Sequence, residues 1–133
     1  MDVRVKKVGR VEKLENEKWV QQSDGLKRRL LIRTDNFMLA AYKLVPGTKG
    51  KWHSHEKEEQ VICVQSGTLL MRWRDQTEEK SVEVKAGEAV YIPPNVAHKP
   101  EVTGTGECIT FDIHAPPPTS TELSGYMKYE DKN

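Results

Sequence analysis

Residues 47–67 read GTKGKWHSHEKEEQVICVQSG, and their internal spacing decides the fold. The Pro46-Gly47 turn leads to His53 and His55, one residue apart; the charged EKEE follows, and the apolar run Val61-Ile62-Cys63-Val64 ends at Ser66-Gly67. On an extended chain, residues i and i+2 point to the same side, so both imidazoles can reach one ion. Gln60 lies five positions beyond His55, where a returning strand brings it beside the pair. Glu59 is the other candidate at this point. Counting back from Gly67, six residues intervene before Gln60 and seven before Glu59, so the two face opposite sides of the strand and only one of them can join the pair.

The period of two continues outward in both directions. Apolar residues alternate at Val3 and Val5, Leu39 and Ala41, Val61 and Cys63, Leu69, Met71 and Trp73, Val82 and Val84, Val90 and Ile92, and Ile109, Phe111 and Ile113. Such alternation predicts strands. No window of a dozen residues holds the apolar stripe of a helix, and only the charged stretch over residues 11–18 is compatible with a short helical turn. Turn signals at Pro46-Gly47, Ser66-Gly67, Asp75-Gln76, Ala86-Gly87, Pro93-Pro94-Asn95 and Gly104-Thr105-Gly106 set the rhythm of an antiparallel sandwich or barrel. No internal repeat occurs, which removes propellers and solenoids. The expectation is an all-β, single-domain antiparallel β-barrel: a strand or arm over residues 1–25, the barrel over 26–115, and a proline-rich tail over 116–133. Pro116-Pro117-Pro118 excludes that tail from a central ladder, while Tyr126, Met127 and Tyr129 give it apolar grip.

A chain of 133 residues fits one domain. Twenty-one Lys and Arg against 20 Asp and Glu leave a net charge of +1, which provides no strong field for nucleic acid or an anionic membrane. The longest apolar run, residues 37–42, is far short of the roughly 20 residues that cross a bilayer. The start, MDVRVKKVGR, has no signal-peptide apolar stretch, so a cytoplasmic location is expected. Cys63 and Cys108 sit in strand-like segments and read as buried free thiols. Charged residues make up 31% against 36% hydrophobic, but balanced charge and regular alternation argue for a folded chain.

Of the four histidines, His98 follows the rigid turn Pro93-Pro94-Asn95-Val96-Ala97, which can aim it inward. With it the chain resembles the cupin superfamily, whose motifs are G-x5-H-x-H-x(3,4)-E-x6-G and G-x5-P-x-G-x2-H-x3-N. Gly47-TKGKW-His53-Ser54-His55-EKEE-Gln60-VICVQS-Gly67 matches the first with Gln at the Glu position, and because six residues separate Gln60 from Gly67 as in that motif, the resemblance favours Gln60 over Glu59. Gly87-EAVYI-Pro93-Pro94-Asn95-VA-His98 matches the second, with Asn95 at the turn glycine and Val102 at the terminal Asn. Asn tolerates the left-handed conformation that Gly would take there. The motifs span residues 47–102 and the flanking strand pattern extends the likeness to 26–115. The resemblance implies a jelly-roll barrel, a double-stranded β-helix, and assigns His53, His55, Gln60 and His98 to a divalent transition metal, for which Zn, Ni, Fe and Mn all suit the ligands.

Three neutral imidazoles and an amide leave the full charge of a divalent ion uncompensated, so the expected substrate is small and polar or anionic. The H-x-H-x4-Q spacing, with residues 25–30 and 35–38, looks like the pectin-degradation cupins, which ketonise unsaturated uronic acids. Those end the last barrel strand with D-x-F-x-P-x-R. Here Asp112 is kept, His114 stands at the Phe position and Pro118 replaces the Arg, which removes the usual carboxylate clamp. Asp112 and His114 share one strand face and are the candidate general acid/base pair. Arg72 and Arg74 read as solvent-facing, while Tyr42, Trp52 and Tyr91 either line a pocket mouth or pack between sheets. The leading expectation is a metal-dependent isomerase or lyase acting beside a carbonyl; a dioxygenase and a non-enzymatic ligand-binding or regulatory protein are the alternatives. A homodimer is expected, formed by adding the N-terminal strand to the sheet of a second copy.

Overall fold

The computed structural model describes residues 18–118. The strand at Val3 and Val5, most of the turn over residues 11–18 and the tail aromatics Tyr126 and Tyr129 lie outside the described residues. Among the described residues nine strands follow in order: β1 (Val20–Ser23), β2 (Leu26–Arg33), β3 (Met38–Leu44), β4 (Glu59–Ser66), β5 (Thr68–Arg74), β6 (Glu79–Lys85), β7 (Ala89–Ile92), β8 (His98–Val102) and β9 (Cys108–Ala115). Every strand pairing is antiparallel. No helix occurs among the described residues, and none is long and apolar enough to cross a membrane. The all-β expectation holds: period-two burial is plain in β4 and β9, and the turn signals fall at or between strand ends.

Two sheets enclose the interior, a six-stranded one in the order β1-β2-β3-β9-β4-β7 and a three-stranded one in the order β6-β5-β8. Gly67 turns β4 into β5 with φ of 79°, and a Cβ there would come within 2.6 Å of the Glu107 carbonyl oxygen, so the turn requires glycine. Asn95 takes φ of 64° in the connection before β8, the left-handed conformation its side chain tolerates.

The two sheets present different chemistry to the interior. From the three-stranded sheet come Leu69 and Met71 of β5, Val84 of β6 and Val102 of β8, all buried in the core. Full burial of a side chain such as Leu69 or Met71 contributes roughly 1.5–3 kcal/mol. In β9, the buried side chains are Cys108, Thr110, Asp112 and His114, while Ile109, Phe111 and Ile113 occupy the opposite face. β4 likewise buries Gln60, Ile62 and Val64 and turns Val61 and Cys63 the other way. The register carries these faces across the sheet, Gln60 opposite His114 and Ile62 opposite Asp112. Cys63 is half-buried rather than buried, and both it and Cys108 are free thiols. Arg72 bridges Glu101 at 3.0 Å and Glu79 at 3.2 Å, and Arg74 lies 3.8 Å above the Trp52 ring, a cation–π contact that ties the histidine loop to the end of β5.

Candidate metal centre

His53 and His98 are joined through their backbones. His53 N–H donates to the His98 carbonyl at 3.1 Å, His98 N–H donates to the His53 carbonyl at 2.9 Å, and the Asn95 amide donates to the His55 carbonyl at 2.7 Å. The left-handed turn at Asn95 thus docks the β7–β8 connection on the histidine loop and brings the three rings together. Ring centroids are 4.2 Å apart for His53–His98, 5.2 Å for His53–His55 and 5.6 Å for His55–His98. One potential ligand atom from each residue lies within 4.8 Å of the others.

Hydrogen bonds on the far side of two rings decide which nitrogen is offered. His53 Nδ1 lies 2.7 Å from the Lys51 carbonyl and His98 Nδ1 lies 2.9 Å from the Val96 carbonyl. A carbonyl only accepts, so each Nδ1 carries the proton and each Nε2 keeps its lone pair. His98 Nε2 is buried and has no hydrogen-bond partner among the described residues. Burial pushes the His53 and His98 imidazoles below their usual pKa, His98 to about 4 with the neighbouring His53 as a further cause. Neutral rings are the form that ligates a metal.

Gln60 is buried on the inner face of β4. Its Nε2 donates to Asp112 Oδ2 at 3.1 Å, and because a carboxylate only accepts, the amide orientation is determined and Oε1 points elsewhere. Oε1 is also buried without a partner among the described residues. An unsatisfied buried acceptor costs about 1–3 kcal/mol. Two of them, Gln60 Oε1 and His98 Nε2, belong to side chains lining one cavity, and their donor types suit a divalent cation. Glu59 is exposed on the other face and accepts from the Tyr91 hydroxyl at 2.7 Å.

The cavity measures about 680 Å³, a size typical of small-molecule sites. Tyr42 and Trp52 line it, Tyr91 does not, and Lys49 and Lys51 stand on its wall as exposed cations. Asp112 and His114 also line it, 6% and 3% exposed respectively. Thr110 Oγ1 donates to Asp112 Oδ1 at 2.7 Å. Burial raises the Asp112 carboxyl to about 6, against the opposing influence of His114 and of the hydrogen bonds from Thr110 and Gln60.

The picture of an uncompensated neutral cage needs correction. Glu58, one of the acids in the charged EKEE stretch, is 2% exposed. Its Oε2 lies 2.5 Å from His114 Nδ1 and its Oε1 lies 3.8 Å from His55 Nδ1. Two buried carboxyl groups, Glu58 and Asp112, therefore stand directly behind the imidazoles and the amide. Periodicity carries no signal for Glu58, because it lies in the connection before β4 where alternation does not apply.

A family model described as a cupin domain matches residues 41–114. No curated protein matches the chain. Among solved structures, KdgF from Halomonas sp. superposes with a TM-score of 0.73 at 19% identity, covering 86% of this chain and 99% of that one. An RmlC-like cupin from Shewanella frigidimarina is 24% identical over 77% of this chain and 86% of its own, with a TM-score of 0.65. CENP-C of Drosophila melanogaster, solved bound to CAL1, gives a TM-score of 0.72 at 16% identity over 80% of this chain and 86% of that one. These likenesses establish the fold.

Proposed function

The chain belongs to the cupin domain family, and on that premise we propose that it is a metal-dependent enzyme acting on a small polar or anionic compound of the sugar-acid kind, by isomerisation, ketonisation or elimination beside a carbonyl. His53, His55, His98 and Gln60 are the residues that would hold a divalent transition metal, drawn from Zn, Ni, Fe and Mn. Bound there, such an ion supplies Lewis-acid polarisation of a carbonyl or enol oxygen.

The observation that carries this reading is the Gln60–Asp112 hydrogen bond at 3.1 Å. It turns the amide oxygen away from Asp112 as a free acceptor and places a carboxyl group one side chain from the proposed ligand, on the cavity wall. Asp112 is the proposed acid/base. It can take a proton from a substrate carbon or hydroxyl and return it to a neighbouring atom, while Thr110 and Gln60 keep its two oxygens in place. His114, on the same face of β9, is its proposed partner. Lys49 and Lys51 offer positive charge to an anionic substrate in place of the arginine that Pro118 replaces. β1 lies at one edge of the six-stranded sheet, where a second copy can add, and a homodimer is proposed.

Elemental analysis of native protein, followed by anaerobic assay on unsaturated uronates and related sugar acids, tests the reading. The expected result is stoichiometric metal and turnover that is lost on chelation and restored on reloading. Turnover that requires and consumes oxygen would replace the isomerase reading with a dioxygenase. Tight ligand binding without turnover would replace it with a binding protein.

A further inference from the structure

We propose that Glu58 is a positioning residue that anchors two imidazoles with one carboxylate: His114 through Oε2, and His55 of the metal cluster through Oε1. The inference rests, for its His55 half, on the metal-binding reading above.

The three cluster histidines are not held alike. Backbone carbonyls of Lys51 and Val96 fix the His53 and His98 rings. His55 Nδ1 instead faces a buried side-chain carboxylate, Glu58 Oε1 at 3.8 Å. That oxygen has no hydrogen-bond partner among the described residues, although the Glu58 side chain is only 1% exposed. A buried anionic oxygen with unused accepting capacity is costly, and the nearby imidazole is where that capacity can be met. When the cluster holds a metal through Nε2, the His55 Nδ1–H is the donor that satisfies it, the carboxylate–histidine–metal arrangement that orients a ligand and raises its basicity.

The other oxygen is already engaged, 2.5 Å from His114 Nδ1. With the Nδ1 proton directed at Glu58, the ring turns Nε2 toward the Tyr42 hydroxyl, 3.4 Å away on the cavity wall. One side chain therefore links the metal cluster to the β9 wall. Only a carboxylate serves both rings, because it offers two acceptor oxygens. A glutamine offers one acceptor and an NH2 group, which cannot receive an Nδ1–H.

The test needs no substrate. In metal-free wild-type protein, nitrogen-edited NMR should show a low-field, exchange-protected proton bonded to His114 Nδ1, absent in Glu58→Ala, which has no acceptor to offer. Competition titration with Zn2+ alone should show binding about 10- to 100-fold weaker in Glu58→Gln. Glu58→Asp keeps the charge but shortens the reach, so positioning predicts weakened binding there too. Glu59→Gln, on the outer face of β4, leaves the His55 contact intact and should bind Zn2+ as the wild type does. Wild-type affinity in Glu58→Asp, or a persistent protected His114 Nδ1–H in folded Glu58→Ala, would overturn the proposal. Should the wild type bind no Zn2+, the His55 anchor falls with the metal reading. Turnover plays no part in these measurements, so failure to find a substrate leaves their outcome unaffected.

Discussion

β5 and β9 both line the barrel, and they fill it with opposite chemistry. β5 turns Leu69 and Met71 inward and exposes Arg74 at its end, the usual apolar-in pattern. β9 turns Thr110, Asp112 and His114 inward and leaves Ile113 40% exposed on its outer face. The difference teaches that alternation identifies a strand and its two faces without saying which face is inside. Where the interior face is the polar one, its groups must be satisfied by one another or by a ligand. The β9 side of the cavity meets this with Thr110, Gln60 and Glu58, and Gln60 Oε1 and His98 Nε2, both left without a partner among the described residues, mark the candidate metal position.

Substitutions on the two strands should therefore fail in different ways. The largest effect is expected for Asp112→Asn: turnover falls about 10²- to 10⁴-fold, with metal content and melting temperature near the wild type. Undiminished turnover in a metal-replete variant would break the functional half of the comparison. On the apolar side, Leu69→Ala should cost about 2–5 kcal/mol in denaturant unfolding and leave metal stoichiometry unchanged. Loss of metal in a folded Leu69→Ala protein would show that the two regions are not separable.

Protons sharpen the contrast further. In metal-free protein, His98 has a pKa of about 4 in the fold against an ordinary 6.5, so its contribution to stability is complete above pH 6.5. That contribution is lost as the pH falls toward 4, by about 3 kcal/mol in all. Asp112 runs the other way: held at about 6 against an ordinary 3.8, it contributes fully below pH 3.8 and loses that contribution as the pH rises through 6. The two slopes oppose each other between pH 4 and 6. Metal-free Asp112→Asn should lose stability more steeply on acidification than the wild type, measured by urea unfolding across that range; parallel curves would contradict the assignment. The smallest effect belongs to the outer face of β9, where Ile113→Ser should change unfolding free energy by less than about 1 kcal/mol.

Much of this is legible in the amino-acid sequence. Period-two spacing located the strands, and the spacing of His53, His55 and His98 placed three imidazoles where one turn and one returning strand unite them. Counting from Gly67 also separated Gln60 from Glu59 correctly as to face, because strand parity is a strictly local property of the backbone. Asn95 was readable as a left-handed turn residue for the same reason: its conformational tolerance resides in its own side chain.

Glu58 was not legible; Asp112 and His114 were legible as sharing one face of β9 that could project into the barrel, but alternation alone did not fix that face as the inner one. The burial of Glu58 and the direction of that face both depend on which surfaces the sheets bring together, and neither has a signature within a few residues of its own position. Local sequence determined strand positions, turn chemistry and the shared face of each potential ligand, since these follow from backbone geometry over one or two residues. Tertiary structure alone decided that Glu58 is buried between two imidazoles and that the polar face of β9 lines the cavity. Burial is settled by contacts between residues far apart in the chain, here Glu58 with His114 and Gln60 with Asp112.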